Sequence, residues 1–451
     1  MNVNHFEMKA LRTITILLAL GLLSATRIMA QPMSLRDCMD YAIEHSTAMR
    51  LSAADRSDEQ AARTQAALAL FTPSVNAQSY AYNQYGRNLD PETNTYTNFT
   101  TFHNGNSLSG SITLFSGFQT INKLRLAQQQ MVLGLSKEQQ SADEVRFAVM
   151  EAYYKVVYYD QLVEVLQLQT STADSALLKA QREEQLGRKG HADVVQMEAE
   201  LSQRQYQLIN ASNQYEQALM TLKETLCWPM EKELEVAYTE MSETSLPSIH
   251  HDSTMTQFEP PSIQLARGEL HNAELQLAYA RGNWSPSLSL YAGWSTTYYT
   301  YPGMAGYQPQ SFAEQWKGNG GEYVQLSLSI PIFSQGQRRL AIQQRKNDLD
   351  RAHTKLEEAE RQRDITLLRA VNEVKAATAE AIQAQRLAAV RHQAYMLSLR
   401  QYELGLINAI EYQTASQAYL NAEADHLNAQ LQLRLKEHQL NYYMTGQLLL
   451  N

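Results

Sequence analysis

Residues 387–411 read LAAVRHQAYMLSLRQYELGLINAIE, and the end of this stretch decides the fold. Leu387, Val390, Ala394, Leu397, Gln401 and Leu404 recur at alternating spacings of three and four, the seam of a coiled coil, until Gly405 interrupts. Glu403-Leu404-Gly405 is followed six residues on by Glu411, and Gln185-Leu186-Gly187 is followed six residues on by Asp193. The two glycines lie 218 residues apart (187 to 405). A lone glycine in a helical pattern is a weak turn signal, but one that recurs at a fixed offset beside leucine marks a duplicated helical hairpin.

Outward from the tips the chain is helical. Residues 119–226 contain no proline and only Gly134, Gly187 and Gly190, and residues 337–445 contain no proline and only Gly405. Both blocks are rich in strong helix formers, so helices are expected over 119–186, 188–226, 335–404 and 406–445, preceded by shorter ones over 34–71 and 262–285. At 1.5 Å per residue the first long helix measures about 100 Å, far beyond a compact monomeric domain. The shorter pieces 34–71 and 188–226, stacked end to end, match one long helix. Thr72-Pro73-Ser74-Val75 returns as Ser285-Pro286-Ser287-Leu288, and Leu114-Phe115-Ser116 as Ile332-Phe333-Ser334. The chain therefore divides into a first repeat, 31–227, a linker, 228–261, marked by Pro229, Pro247, Pro260 and Pro261, and a second repeat, 262–451.

A period of two replaces the helical period between each proline and each phenylalanine. Leu108, Gly110, Ile112 and Leu114 alternate with serines and Thr113; Leu288, Leu290, Ala292 and Trp294 alternate with Ser287, Ser289, Tyr291 and Gly293. Val324, Leu326, Leu328, Ile330 and Ile332 continue the pattern through Pro331. Strand pairs are thus expected at about 74–118 and 287–333, with one aliphatic and one small polar face, as in a membrane barrel with a wet lumen. Tyr80, Tyr82, Tyr85, Tyr298, Tyr299 and Tyr301 fall toward the loop ends, where an interfacial aromatic girdle belongs. A soluble sandwich would share the alternation, but the N-terminus argues for export. Lys9 and Arg12 precede an apolar run from Ile14 to Leu23 that closes at Ile28-Met29-Ala30, the pattern of a signal peptide, residues 1–30, cleaved after Ala30. No later run of apolar residues is long enough for a membrane helix, so the crossing falls to the strands. Four strands cannot close a barrel, and open edges are forbidden in lipid, so several chains must share one.

Composition removes other classes. With 19 glycines and 11 prolines in 451 residues the chain is poor in loop formers, and a net charge of −9 disfavours nucleic acid as a partner. No nucleophile elbow, Walker loop or dinucleotide fingerprint is present, so no enzyme activity and no cofactor are expected. His250-His251-Asp252 is a lone cluster in a Ser/Thr/Pro linker and lacks the further ligands a metal site needs.

The cleavable signal and two rounds of helix, proline-initiated strand pair, long helix, Leu-Gly tip and return helix, with Ser-Ile-Pro-Ile-Phe at 329–333, resemble the TolC family of outer-membrane efflux and secretion channels. The resemblance implies a fold that is mainly α with membrane β. It also implies a homotrimer, whose chains each give four strands to a 12-stranded outer-membrane barrel and long coiled-coil helices to a periplasmic α-barrel. Such a channel is passive, in outer-membrane lipid, with a periplasmic adaptor and an inner-membrane transporter as partners. Leu186, Gly187, Leu404 and Gly405 become adaptor-contacting tips, and Glu411, with Asp193, a pore aperture. Either acid equally suits the first turn of a helix, whose dipole favours negative charge. The family's second acidic position is Thr414 here, and its basic position is Ile407. Gln31 stands where lipoprotein relatives carry an acylated cysteine, so no acylation is expected. Cys38 opens one helix and Cys227 closes another at the same level of the tunnel, leaving two outcomes open: a disulfide, or two free thiols. A structural or adhesive outer-membrane protein with a helical stalk is the rival function.

Overall fold

The computed structural model describes residues 32–89, 94–98, 100–237, 258–303, 307–308 and 310–448; the signal segment 1–30 and His250-His251-Asp252 lie outside them. In chain order the elements are α1 (Leu35–His45), α2 (Thr47–Leu68), β1 (Ser74–Gln84), β2 (Arg87–Leu89), β3 (Tyr96–Asn98), β4 (Thr101–Phe115), α3 (Gln119–Gln185) and α4 (His191–Leu226). There follow α5 (Pro261–Gly282), β5 (Ser287–Thr300), α6 (Phe312–Gly318), β6 (Gly321–Ser329), α7 (Gln337–Glu403) and α8 (Ala409–Thr445). Two compact units emerge among the described residues, one within 32–50, 142–258 and 367–448, the other within 51–141 and 259–366. No described helix is long and apolar enough to cross a membrane.

In the first unit, Ser34 opens α1 with a capping box: its hydroxyl accepts from the Asp37 N–H while Asp37 accepts from the Ser34 N–H at 3.0 Å. The expected single helix 34–71 is instead two. The chain leaves helical geometry at Ser46, ψ 143°, and its hydroxyl accepts from the Met49 N–H to start α2. Cys38, Val149, Met150, Leu222 and Leu226 share one core, so α1 packs on the end of α4. Cys227 closes α4 in the left-handed region, and both cysteines are free, Cys38 buried and Cys227 exposed. Burial pushes the Cys38 thiol up to about 12.

Within the same unit, the stripe that looked like the coiled-coil seam of α7 points away from the chain. Leu387, Val390, Leu397 and Leu404 are exposed, while the buried seam runs through Ala388, Tyr395 and Tyr402, spaced by sevens. Those tyrosines pack with Leu177 and Ala180 of α3, Val194 and Met197 of α4 and Tyr412 of α8.

The second unit holds a four-stranded antiparallel sheet in the order β1-β4-β5-β6. The register places Ala77, Leu108, Trp294 and Glu322 in one row, and Val75, Gly110, Ala292 and Val324 in another, so one face is mostly aliphatic. The opposite face carries serines, threonines, Asn76, Gln78 and Gln325. Tyr80, Tyr82 and Tyr299 stand on this polar face and Tyr301 is buried, so they do not form the expected girdle; Tyr298 alone of the strand tyrosines named there is on the aliphatic face. Short helix α6, capped by Ser311 and Glu314, packs on that aliphatic face, with Trp316 at 5.3 Å from Trp294 and Phe312 at 5.3 Å from Tyr298. Strand β6 stops at Ser329, short of the expected 333, because Pro331 has no N–H for the ladder. The chain turns from sheet to helix through two consecutive left-handed residues each time, Gly117-Phe118 and Gln335-Gly336.

Candidate channel aperture and docking tips

The two hairpin tips of the first unit are built alike. Gly187 has φ +70° and Gly405 has φ +74°, a conformation in which a Cβ would be strained. In each, the residue after the glycine donates to the carbonyl five back: Arg188 to Glu183 at 2.8 Å and Leu406 to Gln401 at 2.9 Å. This is the Schellman turn, which uses up the last helical carbonyls and leaves the neighbouring side chain outside. Leu186 and Leu404 are accordingly exposed, as are Leu406 and Ile410. Nothing lies within 4 Å of where a Cβ would stand on either glycine, so the constraint is conformational rather than steric.

Both acids singled out from the sequence occupy the first turn of a return helix, Asp193 in α4 and Glu411 in α8. Glu411 is exposed and held by Asn408: its N–H donates to Asn408 Oδ1 at 2.9 Å, and Asn408 Nδ2 donates to Glu411 Oε1 at 3.0 Å. Asp193 is half-buried and follows a Gly190 N-cap with no side-chain bond, so its charge is unspent on capping. It acts instead on two neighbours. Burial lowers the Lys189 ammonium pKa and Asp193 and Glu183 oppose that shift, while burial, with Asp193 adding to it, pushes the Tyr402 phenol up to about 12.

The structure brings the tips together through residues that sequence reasoning missed. Lys189 Nζ sits 3.4 Å over the Tyr402 ring, and Lys179 pairs with Glu403 at 3.2 Å. Tyr402 stacks on Tyr412, and Tyr395 on Tyr419, with centroids 5.4 Å apart in both pairs. The Tyr402 hydroxyl is buried without a hydrogen-bond partner. Further along, Arg204 of α4 is wholly buried: Nε donates to Glu200 Oε1 at 2.8 Å, Nη1 to Gln207 and Gln417 at 2.9 and 3.0 Å, and Nη2 to Ser416 Oγ at 3.0 Å. Gln413 Nε2 donates to the Gln196 carbonyl at 2.7 Å. The return helices are thus laced by polar groups rather than leucines. The signal in the sequence was tyrosine at heptad spacing, 395 with 402 and 412 with 419.

Among the described residues no cluster of His, Cys, Asp and Glu is placed to hold a metal ion. What the geometry offers is two apolar tips, a charged first turn beside each, and a polar lacing that fixes their register.

The sequence from 257 to 446 matches the model of the outer membrane efflux protein family. Residues 257–446 are therefore similar to outer membrane efflux proteins. The resemblance drawn from the tips and strand pairs holds, and the family and the solved structures similar to this chain are those of outer-membrane channels. Three solved structures carry the fold to almost the whole chain. The Campylobacter jejuni CmeC outer membrane channel is 17% identical with a TM-score of 0.76, over 91% of this chain and 85% of that one. The outer membrane protein VceC of Vibrio cholerae is 13% identical, TM-score 0.72, over 92% and 97%. The open-state MtrE outer membrane channel of Neisseria gonorrhoeae is 17% identical, TM-score 0.71, over 91% and 88%. No curated protein matches the sequence.

Proposed function

We propose that three copies of this chain assemble in an outer membrane, each lending four strands to one 12-stranded barrel and its long helices to a periplasmic tunnel. The assembly is a passive conduit from the periplasm to the exterior. The sheet carries this reading: it has one aliphatic and one polar face, β1 and β6 leave its edges open, and four strands cannot enclose a lumen. The exposed apolar stripe on α7 adds a helical surface for neighbouring copies. The halves 31–227 and 262–451, with linker 228–261, are two repeats of one unit. Leu186, Gly187, Leu404 and Gly405 dock on a periplasmic adaptor joined to an inner-membrane transporter, which supplies the energy in a tripartite efflux or type I secretion system. Glu411, with Asp193, lines the aperture.

Three experiments test this. Purified protein in a planar bilayer is expected to conduct, whereas a structural or adhesive stalk would not. Leu186→Asp with Leu404→Asp is expected to abolish export while trimer yield stays at the wild-type level; export that survives would reduce the tips to plain turns. In the same bilayer, Glu411→Gln is expected to lower cation selectivity, because a ring of like charges in a narrow wet constriction concentrates counter-ions. An unchanged reversal potential would remove Glu411 from the pore.

A further inference from the structure

The polar face of the sheet is electrically empty but for one group. Strands β1, β4, β5 and β6 contain a single formally charged residue, Glu322, which pairs in register with Trp294 on the aliphatic face. On the polar face stand Ser, Thr, Asn, Gln, Gly and Tyr, and, among the described residues, one imidazole, His103. It sits in a tyrosine row. The register sets His103 between Tyr82 of β1 and Tyr299 of β5, and its ring stacks on Tyr82 with centroids 5.0 Å apart and planes 18° apart. Tyr82 in turn stacks on Tyr80 at 6.1 Å, and Tyr80 lies flat over Gly105, where a Cβ would come within 2.3 Å of its ring. Tyr323 covers Gly293 in the same way, with a Cβ there 2.7 Å from the ring. The rings lie along the sheet and pin the imidazole without a charged partner.

Among the described residues, no charge faces His103 from the elements packed around it. Its neighbours are Tyr80 and Tyr82 on β1, Tyr299 on β5 with Tyr301 at 5.9 Å from that ring, and Thr101 and Gly105 on its own strand. Helix α6, with Glu314 and Lys317, packs on the opposite face, and the Glu314 carboxylate is engaged by Ser311. Arg87 lies over Tyr96 of the β2-β3 hairpin.

From this arrangement we infer that His103 sets the charge preference of the exit. The inference rests on the reading above, in which the polar face lines the lumen of a shared barrel. Threefold symmetry then makes one ring of three imidazoles in a sleeve that carries no fixed charge at neutral pH. Histidine is the one side-chain type on this face whose ordinary pKa, about 6.5, falls between pH 5 and 8. Acidification converts the ring from neutral to three positive charges in a confined space, which concentrates anions and slows cations.

The test is a planar-bilayer recording of the full trimer under a salt gradient, at pH 7.5 and then at about pH 5 on the exit side. The cation-to-anion permeability ratio of the wild type is expected to fall at least about threefold on acidification, a modest fraction of what focused potentials can do. His103→Gln is expected to lose most of that fall, and His103→Lys to show the low ratio at both pH values. An equal fall in wild type and His103→Gln overturns the inference while leaving the conduit intact. Conductance in none of the three proteins overturns the conduit itself, and this inference with it.

Discussion

Between residues 387 and 404, along the end of helix α7, the chain carries two apolar stripes side by side. Ala388, Tyr395 and Tyr402 are each 4% exposed, packed against α3, α4 and α8, whereas Leu397 and Leu404 are each 61% exposed and Val390 56%. The more hydrophobic stripe faces outward. Leaving leucines in water costs more than leaving tyrosines there, since each fully exposed leucine forgoes about 1.5–3 kcal/mol of burial. The arrangement makes sense if the outer stripe meets another copy of the chain and the inner one holds the fold of each copy. The inner seam is correspondingly polar at its heart, with Arg204 and Glu200 buried beside the tyrosine stacks.

The largest expected effect breaks the inner seam. Arg204→Ala leaves Glu200 buried without its cation, and removing one partner of such a pair costs about 3–5 kcal/mol. Thermal unfolding followed by circular dichroism is expected to show a lower midpoint, and replacing Arg204 and Glu200 together by Met should recover most of it. If the single variant is as stable as the wild type, the pair is not buried in the assembled protein.

A smaller effect on the fold, but a specific one on assembly, is expected at the outer stripe. Leu387→Asp with Leu397→Asp changes exposed residues outside the buried seam, so helix content should change little. The trimer should dissociate at lower temperature on gels run after graded heating. Trimers of undiminished heat resistance would mean that the stripe faces solvent or some other molecule.

Much of this was legible from residue order. Gly187 and Gly405 announced the tips because a left-handed turn is a backbone demand that glycine records directly. The strands were legible through alternation, and the face of each side chain follows from their register. The choice between the two stripes was not, since a three-four periodicity identifies a helix with an apolar side and is silent on which copy covers it. Tyrosine added to the difficulty, being apolar enough for a core and polar enough for a surface. Arg204 gave no signal either: it becomes a buried residue only once Ser416 and Gln417, more than 200 positions away, supply its hydrogen bonds. Ser46, by contrast, was a readable helix cap inside what passed for one continuous helix.

The smallest expected effect sharpens the seam at one atom. Tyr402→Phe keeps the ring under Lys189 and removes a buried hydroxyl that has no partner, so a gain of about 1 kcal/mol is expected. The variant also isolates a pH effect. Burial, reinforced by Asp193, holds the Tyr402 proton until about pH 12, above the ordinary tyrosine value of about 10. A raised folded-state pKa contributes stability that is complete below the unfolded value and is lost as pH rises through the folded one. Between about pH 10 and 12 the wild type should therefore lose stability that Tyr402→Phe retains, measured as the difference in urea midpoint across that window. Parallel curves for the two proteins would place the hydroxyl in water.

In the proposed trimer the outward leucines and the open edges of β1 and β6 are covered by further copies of the chain, and the mass of the particle extracted in mild detergent tests this most directly. Native mass spectrometry is expected to give three chains as one species, with no stable one- or two-chain form. A monodisperse single chain, folded and soluble in detergent with its edges free, would contradict the account.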